Sequence, residues 1–134
     1  MRLKHFNLTF GSQVFKAFSE EARIRIIYLI YKNEEMCISD LEHILDFTQA
    51  KTSRHLIYLK NAGLLEFKKI DQWAYYYLKE EVSDIVQQIF QYLGKDPVLL
   101  NDQEVYRILY SNRELAICKR HNNQWRSKNN TKRD

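Results

Sequence analysis

The chain has 134 residues, 45% of them hydrophobic, with one proline and three glycines; this fits one packed domain and argues against a long flexible linker. A net charge of +4 is a mild basic excess that permits a nucleic-acid partner without requiring one. No apolar run reaches the length of a secretory signal or a membrane span, and two cysteines make no disulfide framework, so a reducing cytoplasm and no membrane partner are expected.

Residues 7–18 place Phe10, Val14, Phe15 and Phe18 at helical spacing. Ser19 is expected to cap a second helix from Glu20 to Tyr31, with Ala22, Ile26, Leu29 and Ile30 inward and two glutamates in the dipole-favoured first turn. Met36-Cys-Ile38 reads as a short strand. Ser39-Asp-Leu-Glu42 has the form of a capping box, opening a short helix to Leu45 with Leu41, Ile44 and Leu45 inward.

After a turn at Asp46-Phe47, Thr48 is the expected N-cap and Gly63 the expected stop of the next helix. Thr52, Leu56, Leu59 and Gly63 form its narrow inner stripe, leaving Arg54 and Asn61 pointing outward with Lys51 and Ser53 beside them and Gln49 in the first turn. Two helices joined by a tight turn, the second with a polar outer face, make a helix-turn-helix. Amide, hydroxyl and guanidinium groups near a helix N-terminus suit a major groove: Gln pairs two atoms of adenine, Arg two of guanine, and Ser and Thr take base or phosphate. A solvated amphipathic helix has the same pattern.

Leu64–Ile70 and Trp73–Leu78 flank Asp71-Gln72 and read as a β-hairpin wing. Lys68 and Lys69, near its tip, face phosphate or the minor groove, or only aid solubility. From Glu80 to Leu93, Val82, Ile85, Val86, Ile89, Phe90 and Leu93 recur at helical spacing, with Gly94 and Pro97 ending the helix. This stripe needs a cover. A symmetric dimer supplies one, pairing Phe10, Val14, Val82, Ile85, Val86, Ile89, Phe90 and Leu93 with their copies; folding back onto its own domain supplies another. Asn101 or Asp102 is expected to cap a last helix to about Arg120, with Val105, Ile108, Leu109 and Ala116 inward. The remainder is polar and basic. The expected fold is mostly α with a small β-hairpin wing, a winged helix-turn-helix with flanking dimerisation helices. Residues 1–94 form the DNA-binding and dimerisation domain, 95–121 a helical extension and 122–134 a basic tail.

Five segments in order resemble the ArsR/SmtB family of dimeric winged-helix repressors: Phe15-Lys-Ala-Phe-Ser-Glu-Glu-Ala-Arg-Ile-Arg-Ile26, Ile38-Ser-Asp-Leu41, Phe47-Thr-Gln-Ala-Lys-Thr-Ser-Arg-His-Leu56, Leu59-Lys-Asn-Ala-Gly-Leu64 and Trp73-Ala-Tyr-Tyr-Tyr-Leu78. The resemblance covers residues 10–93 and implies double-stranded DNA and a second copy of the chain as partners. It adds His55 to the DNA-facing set Thr48, Gln49, Lys51, Thr52, Ser53, Arg54, Lys68 and Lys69; on the helical wheel His55 lies near the buried stripe, where it binds phosphate or only supports the helix.

Many members of that family release DNA on binding a metal or metalloid, or on thiol oxidation. The stretch resembling their metalloid motif is Glu35-Met-Cys-Ile-Ser-Asp-Leu41, where Cys37 matches the first thiolate and Ser39 replaces the second. One thiolate cannot hold a soft ion tightly. Residues 79–93 contain no histidine, so the family's other zinc site is absent. Asp40, His43, His5, Cys118 and His121 form only a loose set. No metal, no cofactor and no readable inducer are expected. A thiol switch between Cys37 and Cys118 requires α-carbons within about 7 Å; Cys37 as a small buried hydrophobe is the plainer reading.

These features point to a sequence-specific transcriptional regulator, a homodimeric repressor in the first place. The alternative is a winged-helix protein-interaction module using the C-terminal helix and tail. No phosphate-binding loop and no H-E-x-x-H motif is present, and an enzyme is not expected.

Overall fold

A computed structural model describes residues 6–121. Its elements are α1 (Leu8–Ala17), α2 (Glu21–Asn33), β1 (Glu35–Cys37), α3 (Ile38–Leu45), α4 (Gln49–Asn61), β2 (Leu65–Ile70), β3 (Trp73–Leu78), α5 (Glu80–Leu93) and α6 (Pro97–Ser111), followed by a short helical turn over 116–121. His5 and the basic tail 122–134 lie outside the described residues.

Local chemistry sets most of the boundaries. Asn7 starts α1 by accepting from the Phe10 amide at 2.9 Å. Gly63 takes the left-handed conformation, φ 89°, as α4 hands over to β2. The wing is a hairpin with Ile70 paired to Trp73 across Asp71-Gln72, and Asp71 carries the positive φ that the tight turn requires. β1 pairs antiparallel with the other edge of β3, giving the order β1-β3-β2.

Three expected caps are corrected. Ser19 does not cap α2; its hydroxyl donates backward to the Lys16 carbonyl at 2.6 Å, and Glu20 takes the N-cap position without a side-chain cap. The capping box at Ser39 does not form, because β1 runs straight into α3: pairing with Tyr75 keeps Cys37 extended, so Cys37 becomes the N-cap and Ser39 falls inside the first turn. The last helix begins at Pro97 rather than after Asp102. Asp96 caps it, and proline suits the first position because its missing amide has no helical partner to lose. It ends at Ser111, so Ala116 lies beyond it, and Ile108 is exposed.

The core gathers Ile26, Ile27, Leu29 and Ile30 of α2, Leu41 of α3, Leu56 and Leu59 of α4, Leu64, Leu65 and Tyr75 of the wing, and Val82 and Val86 of α5. Val14, Val82, Val86 and Phe90, expected at a dimer interface, are buried within the single chain. The Phe90 ring packs against Phe18, Tyr28 and Tyr31 at 5.1–6.0 Å between centroids, contacts of about 0.5–1.5 kcal/mol per aromatic pair beyond area burial. The stripe on α5 is wide enough that one flank covers α2. The other flank, with half-buried Ile85 and Ile89 and exposed Tyr92 and Leu93, remains at the surface, and Leu8 and Phe15 of α1 are exposed as well.

The extension is part of the packed body. Leu99, Leu115, Ile117 and Cys118 are buried. Asp102 forms a two-pronged ion pair with Arg25 at 2.8 and 2.9 Å, and Asn33 and Gln103 exchange amide hydrogen bonds at 2.7 and 2.8 Å. The buried Asp40 carboxylate of α3 accepts from the backbone amides of Ala116 and Ile117 at 2.6 and 3.1 Å, capping the final turn from across the fold.

Candidate nucleic-acid interface

The geometry of α4 starts from Thr48, whose hydroxyl accepts from the Lys51 amide at 3.2 Å. Its carbonyl accepts from both the amide and the hydroxyl of Thr52, at 3.0 and 2.9 Å. Thr52 is thereby turned inward and fully buried, so the expectation that it meets DNA is corrected: its hydroxyl is committed to the helix backbone.

His55 is also corrected. It is buried, with Nε2 3.6 Å from Glu20 Oε1, too far for a hydrogen bond. Burial, opposed by Glu20 and reinforced by Arg54, Arg23 and Lys51, lowers its pKa and favours the neutral ring. Arg23 organises this corner: it donates to the carbonyls of Ala17 and Lys16 at 3.1 and 2.9 Å, pairs with Glu20 at 2.6 Å and lies 4.2 Å over the Tyr58 ring. His55 thus helps to seat α4 against the start of α2.

The remaining expected residues of α4 meet solvent. Gln49 and Arg54 are exposed, and Lys51 and Ser53 half-buried. Among the described residues, the side chains of Gln49 and Arg54 make no hydrogen bond or ion pair. The Lys51 ammonium lies 4.0 Å over the Phe47 ring, which holds it beside the helix start. Helix N-terminus, adjacent ammonium and guanidinium together offer an electropositive surface to phosphate.

On the wing, Lys69 and Lys68 are both exposed, but their surroundings differ. Lys68 pairs with Glu35 at 2.9 Å, and the same carboxylate also holds Arg120. Arg120 lies over the Tyr75 ring at 4.7 Å. Lys68 therefore reaches toward the extension, and Lys69 is the less encumbered cation. Sequence reasoning left Ala50, Ile57 and Asn61 out of the site set; all three are exposed on the outer side of α4, and the helical period alone was enough to place them there.

The expected sensing residues are arranged differently from a ligand set. Cys37 is buried, 3.8 Å from the Ser39 hydroxyl, and burial with the neighbouring Asp40 pushes its thiol up to about 11. A thiol held protonated is a poor nucleophile and a poor metal ligand. Cys118 is buried with its thiol directed at the Tyr110 carbonyl at 3.5 Å, and His121 Nδ1 meets the Tyr110 hydroxyl at 2.7 Å. Among the described residues no group of three or more His, Cys, Asp and Glu is placed to hold a metal ion. No helix among them is long and apolar enough to cross a membrane.

Residues 20–66 match the arsR family of bacterial regulatory proteins, a span running from the start of α2 through α4 into β2. The chain is 38% identical over 78 residues to the arsenic resistance transcriptional regulator ArsR1 of Pseudomonas putida, covering 58% of this chain and 61% of that protein. It is also 38% identical to ArsR2 of the same organism, over 58% of this chain and 68% of that protein. Among solved structures, the transcriptional regulator HlyU of Vibrio vulnificus superimposes with a TM-score of 0.56 at 30% identity, covering 68% of this chain and 97% of that one. With the helix-turn-helix, the wing and these likenesses in agreement, the chain belongs to the ArsR family of bacterial regulatory proteins.

Proposed function

We propose that this protein is a sequence-specific DNA-binding transcriptional regulator, a repressor that acts as a homodimer with α4 in the major groove. The observation that carries the reading is the outer face of α4: Gln49, Arg54 and Asn61 are exposed on a rigid helix and have no protein partner among the described residues. Exposed donors and acceptors of this kind match base edges, while Lys51 and Lys69 supply charge for phosphate. The unused flank of α5, with Ile85, Ile89, Tyr92 and Leu93, and the exposed Leu8 and Phe15 of α1 supply an apolar surface for a second copy. A two-fold dimer sets its two α4 helices about 34 Å apart, on a pseudo-palindromic site. In this reading residues 1–94 hold the DNA and dimer surfaces and residues 95–121 brace them.

Fluorescence anisotropy tests the proposal. The full chain is titrated against duplex DNA taken from upstream of its own gene and against a random duplex, at about 0.15 M salt. A preference of about a thousandfold for the upstream duplex is expected, with one dimer bound per site. Equal weak binding to both, together with no sequence enriched from a randomised duplex library, would sink the reading and favour a protein-interaction module.

A further inference from the structure

The buried side of α4 is formed by Thr52, His55, Leu56 and Leu59. Half a turn away on the helical wheel, the line farthest from the core runs through Ala50, Arg54, Ile57 and Asn61, at i, i+4, i+7 and i+11. All four are exposed, Ile57 at 52%. This line projects deepest into any groove the helix enters, and two of its four side chains offer only carbon.

The surroundings of Ile57 select its contact. Arg54 is one helical turn before it and Lys60 and Asn61 one turn after it, so the apolar spot is small and set among cations and an amide. The neighbouring Tyr58 is 38% exposed, with the Arg23 guanidinium over its ring. A protein-docking face would need a broad apolar patch, whereas a single branched side chain amid positive charge matches the one apolar group on the floor of the major groove, the C5 methyl of thymine.

We infer that Ile57, with Ala50 seven residues earlier, reads thymine methyl groups, so that each half-site is specified by thymines as well as by the polar contacts of Gln49, Arg54 and Asn61. The two contacts are separated by about 10.5 Å along α4 and fall on different bases. The inference rests on the DNA-reading function proposed above and adds the chemistry of the bases selected.

The experiment uses the full chain throughout. The best-bound sequence is selected from a randomised duplex library, then resynthesised with deoxyuridine replacing one thymidine at a time, which removes only a methyl group. Two replacements per half-site, one at the thymine facing Ala50 and one at the thymine facing Ile57, are each expected to weaken binding about fourfold, the ratio equivalent to about 0.8 kcal/mol for one methyl-sized group. Ile57→Ser should bind the thymidine and deoxyuridine duplexes equally at one of the two positions, while Ile57→Val, which keeps a branched apolar contact, should retain most of the discrimination there. Urea denaturation of both variants checks the fold, since a substitution at an exposed position leaves the unfolding midpoint nearly unchanged. If no deoxyuridine replacement changes affinity, or if Ile57→Ser keeps the full penalty, the inference is overturned while the DNA-reading function stands. A library that enriches nothing overturns both.

Discussion

The outer face of α4 and the inner face of the C-terminal extension are both rich in polar residues, and they treat them oppositely. Under the extension the polar groups are largely matched: Asp102 with Arg25, Gln103 with Asn33, Asp40 with two backbone amides, and Arg120 with Glu35 through Nη1, its buried Nε left without a hydrogen bond. On α4, Gln49, Arg54 and Asn61 remain solvated on a rigid helix. Buried polar groups need partners because an unmatched one carries its full desolvation cost; exposed ones meet water and exchange it for a ligand at small cost. The contrast separates residues that hold this fold together from those available to a partner, although both sets look alike as letters.

Crossing two substitutions breaks or sharpens that contrast. Asp40→Ala removes the acceptor of the part-buried amide of Ala116 and the buried amide of Ile117 and should have the largest effect, about 3 kcal/mol of stability lost, since each orphaned group costs about 1–3 kcal/mol. Urea denaturation measures it, and a loss below about 1 kcal/mol would mean that the extension is not braced at this point. Arg54→Ala should do the reverse: about 2 kcal/mol lost from binding the selected duplex, roughly thirtyfold, with the urea midpoint nearly unchanged. Equal losses on selected and random DNA would recast Arg54 as a phosphate contact. A smaller effect belongs to Gly63→Ala, at the junction of α4 and β2. Gly63 has a positive φ, and an added Cβ would come 2.8 Å from the Phe10 ring. The left-handed backbone alone costs a non-glycine residue about 1–2 kcal/mol, and a comparable fall in stability is expected by thermal or urea unfolding; an unchanged midpoint would mean that Phe10 moves freely and the turn relaxes.

Local signals were readable where a single element decides them. The limits of α5 follow from its unbroken apolar spacing, and those of α4 from Thr48 and Gly63, whose chemistry acts within one turn. What depends on a distant partner was not readable. Asp102 resembles a cap in sequence, but its partner Arg25 lies 77 positions away and places it mid-helix in an ion pair. Val82, Val86 and Phe90 are correctly apolar, yet periodicity cannot say whether a stripe is covered by its own α2 or by another chain. Thr52 and His55 sit where the helical wheel puts them, in and beside the buried stripe; what the spacing does not show is the partner that holds each there, the Thr48 carbonyl for Thr52 and the corner of Glu20 and Arg23 for His55. Ala50 and Ile57, apolar by identity, are exposed on the outer side of the same helix.

His55 supplies the smallest and most diagnostic effect. Burial is the chief cause of its lowered pKa, Arg54, Arg23 and Lys51 add to it, and Glu20 opposes them. In the unfolded chain the imidazole titrates near pH 6.5. Above that value both states are neutral and the stability held by the buried neutral ring is fully present. As the pH falls from about 6.5 toward the lower folded value, the unfolded chain takes up a proton that the folded chain refuses, so stability falls over that window and levels off below it. His55→Gln removes the titration. Its urea midpoint should be lower near pH 7 through imperfect packing, but should vary less between about pH 7 and pH 5 than that of the parent. His5, His43 and His121 are retained in both proteins, so their contribution cancels in the comparison. Identical slopes would mean that the folded protein accepts the proton at His55 as readily as the unfolded chain does. The ring would then be paired with Glu20 as a cation, and this corner of α4 would belong with the matched groups under the extension, joined by charge rather than sealed by burial.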